Sequence, residues 1–243
     1  MRKVLVSAFV SMDGVMQAPG GPEEDPTGGF GYGGWVAPLA DVDPAFGEEL
    51  GDLFSRPFDL LLGRRTYDIF AAYWPHVKGD AYNDIAVAFS RVTKYVCTRK
   101  GADLTWKGSV ALPDAADGVA ELKRQEGPTL LTQGSSEVVH ALLAAGLVDE
   151  IRTLTFPELL GRGKRLFADD SQPRAFTLTH TAVSPNGIVA ARYLRAGEVE
   201  TATVGGATEP TPAELERRQK LRAEDGGQNT NDGGPRACSE QLP

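Results

Sequence analysis

Three apolar segments of the sequence are each followed by a cluster of glycine, hydroxyl or cationic residues. The clusters are Gly63, Arg64, Arg65 and Thr66 after FDLLL, Thr98, Arg99 and Lys100 at the end of TKYVCT, and Gly134, Ser135 and Ser136 after TLLTQ. Such residues donate hydrogen bonds to phosphate oxygens from side chains or backbone N–H groups. For any one cluster, solvated loop charges or an ordinary helix cap are the alternative explanation. Three clusters at matching positions favour a ligand with several phosphates.

Arg64 and Arg65 stand just ahead of a predicted helix, TYDIFAAYW. A helix begins with unpaired N–H groups and the positive end of its dipole, so cations at that end are unfavourable unless an anion lies beside them. The pattern therefore predicts a bound anion at this position.

Two carboxylates are candidates for acid–base catalysis. Glu49 borders the apolar stripe of a predicted helix, DPAFGEELGDLF, where its pKa could be raised enough to hold a proton near neutrality. A solvated position on the helix flank is the alternative for Glu49. Asp13 lies in SMDG, a context in which aspartate more often forms a turn before glycine than acts as a catalyst.

A glycine- and proline-rich loop, residues 17–38, contains GFGYGG, which formally fits the fingerprint G-x-G-x-x-G. The fingerprint binds a dinucleotide only between a strand and a helix, so we interpret this match as fortuitous. A loop of this length is typical of lids and binding loops. We expect it to close over the substrate, with Trp35 as one aromatic wall.

The composition is that of a globular protein, with 243 residues of which 41% are hydrophobic. A net charge of −8 without a basic, aromatic-rich face argues against a nucleic-acid partner. The apolar N-terminal segment is interrupted too early, at Ser7 and Ser11, for a signal peptide or a membrane span, so we expect a cytoplasmic protein with no membrane partner. Cys97 and Cys238 have no metal or redox spacing, and no metal site is expected.

Strand and helix patterns alternate along the chain and end in a predicted hairpin, AFTLTHTAVS and GIVAARYLR around Pro185, Asn186 and Gly187. This order predicts an α/β fold whose mixed, mainly parallel sheet is covered on both faces and has a C-terminal antiparallel hairpin. In such sheets ligands bind beyond the carboxyl ends of the strands, where the three clusters lie. Residues 1–204 are predicted to be one domain and residues 205–243 a disordered polar tail, although TPAEL within the tail has a helix-like start.

SAFVSMDGVM, LLLGRRTYDIF and TQGSSEVVHALLAAGLVDEIRTLTFPELLGRGKRLF together resemble the dihydrofolate reductase-like superfamily. The resemblance is closer to the reductase domain of the bacterial riboflavin-pathway deaminase-reductase and its stand-alone relatives, and it covers nearly all of the chain before the tail. It implies the three-layer dihydrofolate reductase-like fold and NADPH as cofactor.

The resemblance also implies roles for particular residues. The cluster beginning at Gly63 would bind the pyrophosphate, the one at Thr98 the adenosine 2′-phosphate, and the one at Gly134 the other side of the diphosphate. Ala8 and Phe9 would approach the nicotinamide. The helix that binds folate in dihydrofolate reductases has an altered pattern here, so the position of the proton donor does not carry over.

We expect an NADPH-dependent reductase that transfers hydride to a pteridine-like or pyrimidine-like heterocycle, or to a related small carbonyl or imine. No zinc-binding deaminase domain precedes the reductase segment, so a bifunctional riboflavin enzyme is not expected. The alternatives are a non-catalytic dinucleotide-binding module or sensor and a sugar-phosphate-binding enzyme. The expected partners are a small-molecule substrate and a second copy of the chain in a homodimer.

Overall fold

The structure, a computed structural model, describes residues 1–40, 42–79, 82–99, 101–205 and 209–228. The chain divides into two units, residues 1–199 and residues 200–243. The strands of the first unit are β1 (Val4–Ser11), β2 (Phe58–Gly63), β3 (Lys94–Cys97), β4 (Ser109–Leu112), β5 (Thr129–Gln133), β6 (Glu150–Phe156), β7 (Ala175–Val183) and β8 (Val189–Gly197). Its helices are α1 (Ala37–Ala40), α2 (Pro44–Ser55), α3 (Arg64–Tyr73), α4 (Asn83–Arg91), α5 (Ala115–Arg124) and α6 (Ser136–Ala144), with 3₁₀ turns at Thr27–Gly29 and Trp74–His76.

All eight strands form one sheet in the order β4-β3-β2-β5-β1-β6-β8-β7. The strands from β4 to β6 in this order pair in parallel, whereas β8 is antiparallel to β6 and β7 is antiparallel to β8. The predicted mixed sheet with a C-terminal antiparallel hairpin is confirmed. At the hairpin turn, the backbone N–H of Gly187 donates to the carbonyl of Ser184 at 3.0 Å. Gly187 has a φ of 85°, a backbone conformation that a residue without Cβ adopts most easily.

The sheet buries a separate core on each face. Along β2, Leu60 and Leu62 pack on one face in the cluster that includes Phe89 of α4, whereas Leu61 packs on the other face with Val139 of α6. This alternation is the period of two that a strand covered on both sides requires. Because helices cover both faces, the ends of the parallel strands are where a ligand can reach the sheet.

Three helices and strands of the first unit are absent from the sequence-based prediction: the single turn α1, the strand β4 and the helix α4. β4 has only four residues and lies at the edge of the sheet, so most of its side chains are partly exposed and show no buried run. α4 is a short amphipathic helix that buries Ala86 and Phe89, and its N-cap, Tyr82, gives no side-chain cap hydrogen bond. β4 and α4 depend on tertiary contacts more than on local signals.

The second unit contains α7 (Pro212–Gln228). At its start the backbone N–H of Glu214 donates to Oγ1 of Thr211 at 3.3 Å, as the capping pattern predicts. The boundary after residue 204 and the disorder of the tail remain predictions, and residues 206–208 and 229–243 lie outside the described part. Every helix in the described residues is too short or too polar to cross a membrane.

Lys94 of β3 has a fully buried side chain. Its Nζ donates to the carbonyls of Ser90 and Lys107 at 3.3 and 3.0 Å and lies 4.5 Å from the centre of the Trp106 ring. Burial lowers the pKa of Lys94 from 10.5 to about 8, against an opposing effect of the charge of Asp59.

This shift predicts a stability that depends on pH. Between pH 8 and 10.5 the unfolded chain holds the Lys94 proton and the folded chain does not, so the free energy of unfolding rises with pH across this window. We expect a rise of up to about 3 kcal/mol in the wild-type protein that is missing in Lys94→Met, measured by urea unfolding at several pH values. Lys107→Met, which removes an exposed lysine, is the control and should keep the rise. An identical pH dependence in Lys94→Met and the wild type would contradict the assignment.

Candidate functional site

A cavity of about 1380 Å³ opens at the carboxyl ends of the parallel strands. Its wall contains eleven of the twelve residues predicted to bind a cofactor: Ala8, Phe9, Gly63, Arg64, Arg65, Thr66, Thr98, Arg99, Gly134, Ser135 and Ser136. The twelfth, Lys100, lies outside the described residues. The volume exceeds the roughly 300–1,000 Å³ of a pocket for one small ligand, so there is room for a cofactor and a second molecule.

Ser135 joins the turn between β5 and α6 to the turn between β2 and α3. Its Oγ accepts a hydrogen bond from the backbone N–H of Gly63 at 2.8 Å and donates to Oγ1 of Thr66 at 2.9 Å. The turns approach closely: a Cβ on Gly63 would lie 3.3 Å from Ser135 Oγ, and one on Gly134 would lie 3.4 Å from the methyl group of Thr66. A side chain at Gly63 would therefore press on Ser135, and at Gly134 the left-handed backbone, with a φ of 85°, itself favours glycine.

The N-termini of α3 and α6 both reach the cavity without a cap. Within the described residues no side chain bonds the first N–H groups of either helix, and the hydroxyl of Ser135 bonds the opposite turn instead. The ordinary helix-cap interpretation is therefore wrong for Ser135. Two uncapped helix ends present N–H groups and positive dipole ends to one space, an arrangement that binds phosphate groups.

The arginine side chains of the cavity differ in their hydrogen-bond and ion-pair partners. Arg64 forms a two-bond pair with Asp68 on the next turn of α3, which raises the pKa of Arg64. Arg65 reaches the glycine-rich loop, donating to Oγ1 of Thr27 at 3.4 Å. The guanidinium of Arg99 has no hydrogen-bond or ion-pair partner within the described residues, and the residue is exposed. It is therefore the cation most available to a ligand.

Asp114 also lines the cavity. Its carboxylate accepts the N–H of Asp117 at 2.8 Å and so caps α5. The first acid after Arg99 in the sequence is Asp103, and sequence distance alone does not reveal that β4 brings Asp114 to this cavity. The burial of Cys97 at the end of β3, with a smaller effect of the Asp114 charge, raises the pKa of the thiol to about 12. Cys97 therefore stays protonated and unreactive at neutral pH.

The glycine-rich loop is fixed by a network around Gln17. The side-chain amide of Gln17 donates to the carbonyls of Asp25 and Thr27 at 2.9 and 2.8 Å, and its oxygen accepts the N–H of Lys164 at 3.0 Å. The ammonium group of Lys164 pairs with Asp25. GFGYGG lies within this loop and not between a strand and a helix, as expected.

Trp35 does not lie on the wall of the large cavity. Its indole N–H donates to the carbonyl of Gln17 at 2.9 Å, and its ring packs edge-on against Phe156 at 5.4 Å. The structure thus gives Trp35 a role in fixing the loop onto the core. Most of the aromatic residues that line the cavity come instead from α2, α3 and the 3₁₀ turn after α3, together with Phe9 of β1.

The two acids named from the sequence lie outside the cavity wall. Glu49 accepts two hydrogen bonds from the guanidinium of Arg192 on β8, at 2.8 and 3.2 Å. The hydroxyl of Ser11 and the N–H groups of Leu160 and Gly161 hold the pKa of Asp13 at about 2. Asp13 is thus ionised at neutral pH and fixes the chain after β6, so neither position suits a proton donor to this cavity.

Glu24 is a carboxylate of the cavity wall that the sequence analysis did not single out. Its Oε2 accepts the N–H groups of Gly20 and Gly21 at 2.5 and 3.2 Å, and within the described residues its Oε1 has no partner. Burial raises the pKa of Glu24, partly offset by these two hydrogen bonds. The signal in the sequence was three consecutive residues, Glu23, Glu24 and Asp25, in a binding-type loop. Only the fold shows that Asp25 is the buried member of the three and pairs with Lys164, whereas Glu24 is half-buried on the cavity wall.

Comparison with known protein families identifies the family to which the chain is similar. The family model of the RibD C-terminal domain matches residues 2–190. The protein YyaP of Bacillus subtilis (strain 168) is 23% identical over 193 residues, which cover 79% of this chain and 94% of YyaP.

Two solved structures illustrate the likeness of fold. A Shewanella sp. PV-4 protein assigned to riboflavin biosynthesis is 18% identical, with a TM-score of 0.58, and the match covers 80% of this chain and 99% of that one. Dihydrofolate reductase from Enterococcus faecalis, whose structure contains NADP(H), is 15% identical, with a TM-score of 0.50, and the match covers 79% of this chain and 96% of that one.

Proposed function

The chain belongs to the RibD C-terminal domain family, a family of reductases, and we propose that it is an NADPH-dependent reductase. The proposed reaction is hydride transfer to a pteridine-like or pyrimidine-like heterocycle or to a related small carbonyl or imine. The observation that carries the proposal is the pair of uncapped helix N-termini that face one cavity, which is also lined by Ala8 and Phe9 of β1. The membership agrees with the resemblance seen in the sequence.

The residues of the cavity fit a dinucleotide. The turns at Gly63 and Gly134 line the cavity without side chains, so a diphosphate could approach the backbone N–H groups of α3 and α6 closely. Arg99, exposed at the end of β3, would pair with a 2′-phosphate. Phe9 would lie against the nicotinamide, which supplies the hydride when bound.

We propose Glu24 as the acid that donates a proton to the substrate. Its Oε2 is fixed by the loop backbone, and its Oε1 is left to face a ligand. A raised pKa keeps a larger fraction of this carboxyl protonated near neutrality, which a general acid requires. Glu24 would thus donate a proton from Oε1 to the oxygen or nitrogen of the substrate while its other oxygen stays bound to the loop.

The function is tested by titrating the protein with NADPH, NADH and ribose 5-phosphate, and by following NADPH oxidation with a panel of heterocycles, aldehydes and imines. Tight NADPH binding with oxidation by at least one compound supports the reductase. Binding without any oxidation favours the non-catalytic module, and ribose phosphate binding without a preference for the dinucleotide favours a sugar-phosphate enzyme.

A pattern of cofactor affinities is predicted for the arginines. Arg99→Ala should weaken NADPH by about tenfold or more and leave NADH unchanged, because the two cofactors differ only by the 2′-phosphate. Arg65→Ala should weaken both cofactors through the shared diphosphate. Fluorescence titrations at low and at moderate salt measure both effects, and the effect of Arg99 should shrink as salt rises.

The same cavity is also lined by the negatively charged Asp114, which would oppose the binding of a 2′-phosphate. If wild-type protein binds NADH as tightly as NADPH, or if Arg99→Ala weakens both cofactors equally, then the 2′-phosphate does not lie at Arg99. Asp114→Asn is the matched control, because it removes a carboxylate from the same cavity and should strengthen NADPH more than NADH.

A further inference from the structure

One part of the cavity has walls without charge. Six apolar side chains from α2, α3, the 3₁₀ turn that follows it, and α4 line this part: Phe46, Leu50, Phe54, Phe70, Trp74 and Ile85. We call it the apolar compartment.

The apolar compartment starts beside the end of β1. Phe46, Leu50 and Phe54 are spaced four residues apart on α2, so they form one stripe about 12 Å long on the helix face. At one end of the stripe the ring of Phe46 lies 5.2 Å from the ring of Phe9. The stripe therefore leads away from the position at which we place the nicotinamide.

At its other end the apolar compartment is bounded by an aromatic cluster. The rings of Phe54, Phe70 and Trp74 lie 5.3, 5.8 and 4.9 Å from the ring of Phe89. Phe89 is fully buried, whereas the other three are only partly buried and line the cavity. Their outer faces are thus an aromatic surface of the kind on which a flat ring stacks.

The basic side chains of the cavity lie elsewhere. They come from the first turn of α3, the end of β3 and the chain before β7: Arg64, Arg65, Arg99 and Lys164. Among the described cavity residues on α1, α2 and α4, none carries a charge, and the charged cavity residues of α3, Arg64, Arg65 and Asp68, all precede Phe70 on that helix. A phosphate or carboxylate in the apolar compartment would lose its hydration without gaining a cation, which is strongly unfavourable.

We propose that the apolar compartment binds a planar, uncharged aromatic molecule that carries neither phosphate nor carboxylate, and that this molecule is the substrate of the reductase. The identification as substrate rests on the proposed function. The selectivity for an uncharged ring rests on the walls alone and holds whether or not the protein is a reductase.

A matched pair of probes tests the selectivity. 2-Naphthol and 2-naphthyl phosphate share one flat ring system and differ by a phosphate. Their affinities are measured by calorimetry, with the protein alone and with saturating NADP⁺ to occupy the proposed phosphate-binding helix ends. We expect 2-naphthol to bind at least about tenfold more tightly than the phosphate. Equal affinities, tighter binding of the phosphate, or no binding of either probe would overturn the proposal.

Two substitutions locate the binding. Trp74→Ala should weaken 2-naphthol by about tenfold or more and leave NADPH affinity unchanged, because an aromatic stacking surface is lost. Tyr32→Ala is the matched control, since Tyr32 is an exposed aromatic residue outside the wall of the cavity. Ile85→Arg adds a cation to the apolar compartment and should shift the preference toward 2-naphthyl phosphate by about tenfold. If Trp74→Ala does not fold, Ile85→Arg alone tests where the probe binds. An unchanged preference for 2-naphthol over 2-naphthyl phosphate in Ile85→Arg would show that the probe binds outside the apolar compartment.

Failure of this inference can be told from failure of the proposed function. If 2-naphthol binds selectively and NADPH does not bind at all, the apolar compartment is as described and the reductase assignment is wrong. If NADPH binds and is oxidised by compounds that carry a phosphate as readily as by those that do not, the reductase stands and this inference is wrong.

Discussion

Glu24→Gln is expected to slow turnover by about a hundredfold while NADPH binds as in the wild type. The glutamine amide oxygen can still accept the N–H groups of Gly20 and Gly21, so the loop keeps its shape and only the proton is lost. The rate of the wild type should fall as pH rises through the raised pKa of Glu24. This fall should be missing in the variant. Steady-state kinetics across pH and an NADPH titration of both proteins provide the measurement.

Two matched variants show whether the effect belongs to Glu24. Glu23→Gln removes a neighbouring, exposed carboxylate from the same loop and should leave turnover within about threefold of the wild type. Glu49→Gln removes the acid named from the sequence, which is bound to Arg192 outside the cavity wall. A hundredfold loss of turnover in Glu49→Gln together with normal turnover in Glu24→Gln would identify Glu49 as the proton donor and refute the assignment of Glu24.

The acids of the site could not be predicted because their positions depend on distant contacts. Glu49 sits at the edge of an apolar stripe, and the periodicity of α2 does not tell which neighbour its carboxylate meets. The neighbour is Arg192, a residue of β8 that is 143 positions away in the sequence. Glu24 depends likewise on a loop whose shape is fixed by Gln17 and Lys164.

The convergence of the three clusters on one cavity could be predicted because the topology of the sheet determines where its strands end. The apolar segment TLLTQ, which precedes the cluster at Gly134, coincides with β5 (Thr129–Gln133). Parallel strands place all their carboxyl ends at one edge of the sheet, so residues that follow such strands converge whatever their separation in the chain. Gly63 and Ser135, which are 72 positions apart, meet for this reason.

Ser135→Ala is expected to weaken NADPH by about 10- to 100-fold and to lower the melting temperature. The hydroxyl bonds the N–H of Gly63 and the Oγ1 of Thr66, so its loss leaves a partly buried N–H without an acceptor, at a cost of about 1–3 kcal/mol. The two turns that would hold the diphosphate then lose their connection, and the same free energy lost from the cofactor complex gives the expected fall in affinity. A fluorescence titration and thermal unfolding measure the two effects.

Two serine variants separate this connection from other roles. Ser136→Ala removes the neighbouring hydroxyl of the same cavity wall, and we expect a smaller loss of NADPH affinity with an unchanged melting temperature, because within the described residues that hydroxyl has no protein partner. Ser135→Gly keeps the left-handed backbone, where φ is 62°, and lacks the hydroxyl, so it should bind NADPH as weakly as Ser135→Ala does. Wild-type affinity in Ser135→Gly would show that the backbone conformation, and not the hydrogen bonds between the turns, shapes the cofactor site.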